Sequence, residues 1–323
     1  MNDDRFMHSL RKDPDPGFAR DLRNRLASGA AAGADAPRPR RLAPALAFAT
    51  VGLAALALFL FPSVRASAQA FIDLFRVRNF VAVSIDPAKI EASLKGSSLD
   101  FKNLLSDQIQ VVESPGRPRP VPSTASAGEA AGISVRTPSW MPSGFSADSV
   151  FVAGEGRIMV KGDAKRLRAL MDAFEVRDVE VPPGLDGAVI SVRTYPVVAQ
   201  SFRGAKQRAM LMQAKSPEVS LPAGLELARL AEIGLRFTGM SASEAHSFAG
   251  RTDWRSTLVV PVPVDAAAFQ EVDIDGARGI MIVPKHEGRG HRPLILWSHD
   301  DEVFALGGEL PREELLTMAR SLR

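Results

Sequence analysis

The chain of 323 residues contains no cysteine. This absence excludes a disulfide framework, a thiolate nucleophile, a thiolate zinc site and a cysteine-ligated iron–sulfur cluster. With 46% hydrophobic and 24% charged residues, the chain is long and apolar enough to bury a sizeable core. One or two domains are therefore expected.

The chain also lacks an excess of charge outside its first 41 residues. The net charge of +3 arises in residues 1–41, which contain nine basic residues and six aspartates. The residues beyond position 64 carry equal numbers of basic and acidic groups. A basic surface spread over the folded part is thus not indicated. We expect no direct binding of nucleic acid.

Residues 42–64 have no charged side chain at all and are mostly apolar. About 20 such residues cross the hydrocarbon core of a bilayer as a helix, so this segment predicts a transmembrane helix. Arg38, Arg40 and Arg41 precede it, and this bias places the N-terminus in the cytoplasm and the C-terminal part outside the cytoplasmic membrane. A cleaved signal peptide is the alternative, but the apolar run and the preceding leader are both too long for one.

The tail before this segment offers a candidate contact surface for a cytoplasmic partner. Phe18, Leu22 and Leu26 recur every four residues between charged positions, which predicts a short amphipathic helix. A solvated or membrane-surface helix explains the same pattern equally well. The three apolar residues are the predicted partner-binding site.

Beyond the apolar segment the patterns predict an α+β fold, an antiparallel sheet with covering helices. Residues 70–80 predict a helix near the membrane interface, and short turns at Asp275-Gly276 and around Asp300 predict hairpins. The predicted regions are a cytoplasmic tail (1–41), a transmembrane helix (42–64), a juxtamembrane helix and strand region (65–113), a Pro/Gly/Ser-rich linker or loop (114–132) and an extracytoplasmic α+β domain (133–323).

Motifs for catalysis or metal binding are weak. His286 and His291 are five residues apart with glycines between them, which does not fit the helical zinc-protease motif. Ser298, His299 and Asp300 are adjacent, whereas a catalytic triad is assembled from distant positions, so a turn is the favoured interpretation. No nucleophile elbow, phosphate loop or complete dinucleotide motif is present. We therefore expect neither an enzyme nor a cofactor or metal site.

The C-terminal segment ILWSHDDEVFALGGELPREELLTMARSL resembles the closing segment of bacterial anti-sigma-factor-like membrane proteins and of the related lipoprotein-carrier/sigma-regulator superfamily. The resemblance implies a strand with a tryptophan, a turn, a strand with an aromatic residue and a leucine-rich last helix. The matching residues are Trp297, Phe304, Leu306, Leu310, Leu315 and Ala319. The absence of cysteine sets the chain apart from the zinc class of anti-sigma domains, and its tail is shorter than such a domain usually is.

Layout and resemblance together predict a single-pass regulator of the cytoplasmic membrane. Its outer domain would bind an extracytoplasmic ligand or protein, and its tail would bind a cytoplasmic transcription partner, a sigma factor. The alternative is a membrane-tethered lipid or lipoprotein chaperone, which requires a wide apolar cavity in residues 133–323. A third hypothesis, an anchored hydrolase, requires His286, His291 or His299 to meet carboxylates in a cleft.

Overall fold

The computed structural model describes residues 73–95, 108–285 and 292–323, which all lie in one compact unit. Within these ranges the chain forms fifteen strands and six helices. The strands are β1 (Asp73–Arg76), β2 (Asn79–Ile85), β3 (Ile109–Glu113), β4 (Arg119–Val121), β5 (Ser146–Ala153), β6 (Gly156–Lys161), β7 (Val189–Thr194), β8 (Val197–Arg203), β9 (Arg208–Lys215), β10 (Glu218–Leu221), β11 (Thr257–Pro263), β12 (Ala267–Ile274), β13 (Ala277–Pro284), β14 (Leu294–His299) and β15 (Glu302–Gly308). The helices are α1 (Pro87–Lys95), α2 (Thr124–Ala131), α3 (Ala164–Ala173), α4 (Leu227–Phe237), α5 (Ala242–Arg251) and α6 (Arg312–Arg320).

The strands form two antiparallel sheets and one parallel pair. The large sheet has the order β12-β13-β14-β15-β9-β8-β5-β4, and the small sheet has the order β1-β10-β7-β6-β3. The predicted α+β class is confirmed. Strands β2 and β11 pair in parallel over seven residue pairs, although they lie far apart in the sequence. The local sequence pattern of neither strand predicts this pairing.

The two antiparallel sheets share their strands. Four segments each contribute one strand to the large sheet and one strand to the small sheet, and the order of the segments is the same in both sheets. These segments are 109–121, 146–161, 189–203 and 208–221. They change sheets at Gly154-Glu155, at Tyr195-Pro196 and at Ser216-Pro217, and in the first segment between β3 and β4. Proline has no N–H for the ladder, so Pro196 and Pro217 interrupt the pairing at the same level. The two sheets are therefore the arms of one bent sheet.

The last helix covers one face of the large sheet. Trp297 and Phe304 are each 2% exposed, and their rings stack with centroids 5.1 Å apart beneath α6, whose Leu315, Met318 and Ala319 are buried. The intervening residues of these strands point to the opposite face, where Leu296 packs towards β2 and β11. Both predicted hairpins and the leucine-rich final helix are confirmed.

Helices α3 and α4 pack against each other beside the small sheet, through Met171, Ile233 and Phe237. At the start of α3, the Asp163 side chain accepts a hydrogen bond from the Arg166 N–H. Such a cap satisfies one of the free donors of the first turn. A capping box of Ser241 and Glu244 lies at the start of α5.

The segment 114–132 differs from the linker or long loop predicted from its composition. It contains β4 and α2, and α2 is capped by Ser123 at one end and by Gly132, in a left-handed conformation, at the other. Ala127 and Ala131 are buried against Val152 and Val198. Small side chains let this helix lie close to the sheet, so a composition that is common in linkers here serves packing.

The region before it is also different from the prediction. Residues 73–76, predicted as part of a helix, form strand β1, because they pair with β10 of the small sheet. Since β1, β2 and β3 pair with strands from beyond residue 133, the described part of 65–113 belongs to the same folded body as the rest.

Residues 1–41 and 42–64, the predicted tail and transmembrane helix, lie outside the described residues. None of the six described helices is long and apolar enough to cross a membrane.

Candidate functional site

Several residues singled out by the sequence lie outside the described ranges. These are the predicted partner-binding residues Phe18, Leu22 and Leu26, and the histidines His286 and His291. The described residues hold no group of three or more His, Asp or Glu side chains arranged to bind a metal ion.

Ser298, His299 and Asp300 lie where strand β14 enters its turn to β15. Ser298 and His299 are neighbours in a strand, so their side chains point to opposite faces, and the Ser298 hydroxyl donates to the Arg78 carbonyl. His299 Nε2 lies 3.0 Å from Asp300 Oδ2. Asp300 and Asp301 have φ values of 51° and 59°, which a two-residue hairpin turn requires. The turn interpretation is confirmed.

A cluster of polar side chains lies on the helix-covered face of the large sheet; we call it the amide cluster, Arg136, Gln200, Gln213 and Glu302. Gln213 is 1% exposed. Its Nε2 donates to the Ser134 carbonyl and to Glu302 Oε2, both at 2.8 Å, and its Oε1 accepts from the Arg136 N–H at 3.0 Å.

Gln200 adds a third hydrogen bond to residues 134–136, because its Nε2 donates to the Arg136 carbonyl at 2.7 Å. Buried polar groups are normally hydrogen-bonded. Here the two side-chain amides bond to the backbone of residues 134–136, which are not part of a strand. The two glutamines thus hold residues 134–136 across the sheet between α2 and α6.

Arg136 and Glu302 are the charged members of the amide cluster. The Arg136 guanidinium binds Asp300 at 3.0 Å and lies 5.8 Å from the centre of the Phe304 ring. Glu302 is partly buried, and this burial raises its pKa above the ordinary value, although the bond from Gln213 opposes the shift. A carboxylate whose charged form loses solvation binds its proton more tightly.

A second group of charges lies at the bend between the two sheets; we call it the bend cluster, Glu155, Arg193, Tyr195 and Lys215. Arg193 donates to both carboxylate oxygens of Glu155, at 2.6 and 2.9 Å, and this pairing lowers the pKa of Glu155. The Tyr195 ring lies 4.9 Å from the Arg193 guanidinium and 5.9 Å from Lys215 Nζ. The bend cluster joins the two arms where the strands change sheets.

A shallow cleft of about 240 Å³ lies elsewhere, between the end of β10 and the residues after α5. Trp254 forms part of its wall, with its Nε1 donating to the Ala249 carbonyl at 2.7 Å and its ring against Phe248. These contacts fix Trp254 as an edge aromatic of the small helical layer. Of the other tryptophans, Trp297 is in the core and Trp140 is 39% exposed.

No motif in the sequence predicts the amide cluster or the bend cluster. A signal for the first was present, because Gln200 and Gln213 each interrupt an apolar strand at a position that points inward. A polar residue at such a position needs buried partners. Which backbone segment supplies them depends on the tertiary structure.

No protein-family model matches the chain, and no curated protein matches it. Among solved structures, an uncharacterised protein of Mycobacterium smegmatis is similar at 14% sequence identity. The alignment covers 73% of this chain and 95% of that one, with a TM-score of 0.18. At this TM-score the likeness supports no argument about fold or function.

Proposed function

We propose that the protein is a single-pass regulator of the cytoplasmic membrane that couples an outer binding domain to a cytoplasmic sigma factor. The observation that carries this proposal is the uncharged segment 42–64 with Arg38, Arg40 and Arg41 at its amino side. In the proposal, residues 1–41 remain in the cytoplasm and bind the partner, and the body that follows lies outside.

Two features of the folded body support the proposal. The described elements after residue 72 belong to one compact unit, as an outer domain on a single anchor requires. The final elements follow the order that the resemblance to anti-sigma-factor-like proteins implies: β14 with Trp297, a two-residue turn, β15 with Phe304, and α6 with Leu315.

The alternative, a lipid or lipoprotein chaperone, receives less support. It needs a wide apolar cavity beside the sheet, and the face of the large sheet that α6 covers is packed with side chains of no measurable exposure. These are Leu211, Met281, Ile295, Leu306, Leu315 and Met318. Packing of this kind leaves little room for an acyl chain between the sheet and α6.

The absence of cysteine makes the membrane topology directly testable. Ser28→Cys places a thiol in the tail, and Glu313→Cys places one on the exposed side of α6. In spheroplasts treated with a membrane-impermeant maleimide, we expect labelling of the Glu313→Cys variant alone. After lysis both variants should react, which is the control for thiol accessibility. Labelling of the Ser28→Cys variant before lysis would overturn the proposed orientation.

The sigma-factor partner is tested by co-purification of the detergent-solubilised full chain with the extracytoplasmic-function sigma factors of its own genome. We expect retention by the parent chain and loss in a variant with Phe18→Ser, Leu22→Ser and Leu26→Ser. The matched control carries serine at Arg20, Asn24 and Arg25, on the polar side of the predicted helix, and should retain the partner. Equal retention by both variants would exclude the apolar stripe as the contact surface.

A further inference from the structure

Strand β3 is an outer edge of the small sheet. It pairs with β6 on one side, and no described strand pairs with its other side. An edge strand presents a row of free N–H and C=O groups, and proteins usually protect such edges with charges, prolines or bulges. The remaining part of this outer strand, β4, contains Pro120 and follows Pro118, so it offers few donors.

The exposed side chains of β3 are unusual for a protected edge. Val111 is 64% exposed and Val112 is 48% exposed, the two largest exposures recorded for large apolar residues of the described body. The outer edge of the large sheet, β12, is different, because Glu271 and Asp273 are exposed along it. The edge of β3 thus has two adjacent exposed valines, whereas β12 has one exposed large apolar side chain, Phe269, on the same strand as these two acids.

The backbone of β3 is oriented for a further strand. Gln108 directs its carbonyl to the Lys161 N–H of β6, and the ladder continues from Ile109 opposite Val160. Because backbone groups alternate sides along an antiparallel ladder, the N–H and C=O groups of Ile109 and Val111 point away from β6. A bulge between Val111 and Glu113 ends this regular stretch. The available edge is therefore short, about five residues.

Positive charge lies just beyond the carboxyl end of this edge. Arg117 and Arg119 are both exposed and have no ion pair with any described residue. Glu113, the acidic residue of the strand, stands opposite Arg157 in the ladder, which offsets its charge. An antiparallel strand added at β3 would begin beside the two arginines and run past the two valines.

We propose that the edge of β3 binds an extended peptide as an additional antiparallel strand. The peptide has acidic residues at its amino end, facing Arg117 and Arg119, and β-branched apolar residues in its centre, facing Val111 and Val112. Main-chain hydrogen bonds supply the pairing, and side chains select the sequence, as in other strand-addition complexes. The proposal does not depend on whether residues 42–64 cross a membrane.

The test uses the detergent-solubilised full chain and fluorescence anisotropy of a labelled peptide, Asp-Glu-Gly-Val-Thr-Val-Thr. We expect saturable binding at peptide concentrations below about 1 mM, the weak end of specific association. Alternate N-methylation of the same peptide removes donors without changing side chains and should abolish binding. Replacing Asp-Glu by Lys-Lys should weaken binding about tenfold or more, because exposed like charges repel at short range.

Variants of the chain locate the site. Val112→Lys should weaken binding about tenfold or more, whereas Phe269→Lys, which also places a lysine at an exposed apolar position of an edge strand, β12, should not. Arg117→Glu with Arg119→Glu should weaken binding more than the charge-matched control Arg177→Glu with Lys206→Glu. Unchanged urea midpoints show that each variant is folded.

Three results would overturn the proposal: no saturable binding, equal binding of the N-methylated peptide, or equal effects of Val112→Lys and Phe269→Lys. Another strand that could pair with β3 is the same strand of a second copy of this chain. Sedimentation of the chain without peptide measures whether it forms a dimer. A dimer that Val112→Lys dissociates would assign the edge to a second copy of this chain and reject the peptide.

Discussion

Gln213 shows how one buried side chain decides the path of a neighbouring segment. Its amide serves the Ser134 carbonyl, the Arg136 N–H and the Glu302 carboxylate at once. Loss of this side chain removes a hydrogen-bond partner from each of these part-buried groups. Each unsatisfied group costs about 1–3 kcal/mol, more than the bond itself contributes.

We therefore expect Gln213→Leu to lower the free energy of unfolding by about 2 kcal/mol or more. Urea denaturation followed by tryptophan fluorescence measures the change. Gln270→Leu, the same substitution at an exposed position of β12, is the control and should change stability by less than about 0.5 kcal/mol. Equal effects at the two positions would contradict the role given to the amide cluster.

Glu302 should make stability depend on pH in the direction opposite to that of an ion-paired acid. Burial raises its pKa in the folded protein, so the folded state holds this proton more tightly than the unfolded state. The free energy of unfolding then falls as pH rises from the unfolded pKa of about 4.3 through the raised folded value.

Glu302→Gln removes the charge and keeps an oxygen that can accept the bond from Gln213. We expect this variant to have a higher urea midpoint than the parent chain at neutral pH and the same midpoint below about pH 4, where the parent carboxyl is protonated in both states. Glu313→Gln, on the exposed side of α6, controls for the loss of one negative charge. A Glu302→Gln variant no more stable than the parent chain at neutral pH would be inconsistent with the raised pKa.

At the scale of elements, α2 lies close to the large sheet because the side chains between them are small. Ala127 has no measurable exposure, and a side-chain carbon at Gly128 would lie 2.8 Å from the Ile133 carbonyl oxygen. The helix therefore depends on small residues on one face only, because Glu129 and Ala130 are exposed.

Ala127→Leu should accordingly destabilise the protein by about 1–3 kcal/mol, the usual effect of adding volume to a packed interface. Ala130→Leu is the same substitution in the same helix on its exposed side and should change stability by less than about 0.5 kcal/mol. Urea midpoints of the two variants give the comparison. Similar midpoints would favour the loosely attached loop that the composition alone predicts.

At the scale of the whole molecule, the bend joins two sheets through continuous strands. Since the segments 146–161, 189–203 and 208–221 contribute to both sheets, neither sheet can lose its strands without disturbing the other. The salt bridge between Glu155 and Arg193 and the buried Ser216, which accepts from the Val77 N–H at 2.7 Å, lie along this bend.

We therefore expect the described body to unfold in one cooperative transition. Two variants report on different parts: Trp140→Phe with Trp254→Phe leaves Trp297 in the large sheet, and Trp140→Phe with Trp297→Phe leaves Trp254 beside α5. In each variant the urea midpoint by fluorescence should equal that by far-ultraviolet circular dichroism. Separate midpoints would indicate that the two arms unfold independently.

The sequence by itself determined the features that depend on near neighbours in the chain. The cap at Asp163, the capping box of Ser241 and Glu244, the turn at Asp275-Gly276 and the buried face of α6 follow from backbone chemistry and hydrophobic period. The uncharged segment 42–64 is also a property of sequence alone, and its crossing of a membrane stays a prediction.

Only the tertiary structure decided which distant segments meet. Residues 73–76 form a strand because they pair with β10. Helix α2 forms in a segment of linker-like composition because its alanines are buried against the large sheet. The pairing of β2 with β11 and the partners of Gln213 have the same origin. Local patterns measure propensity, whereas these outcomes depend on hydrogen bonds and burial that arise between residues far apart in the chain.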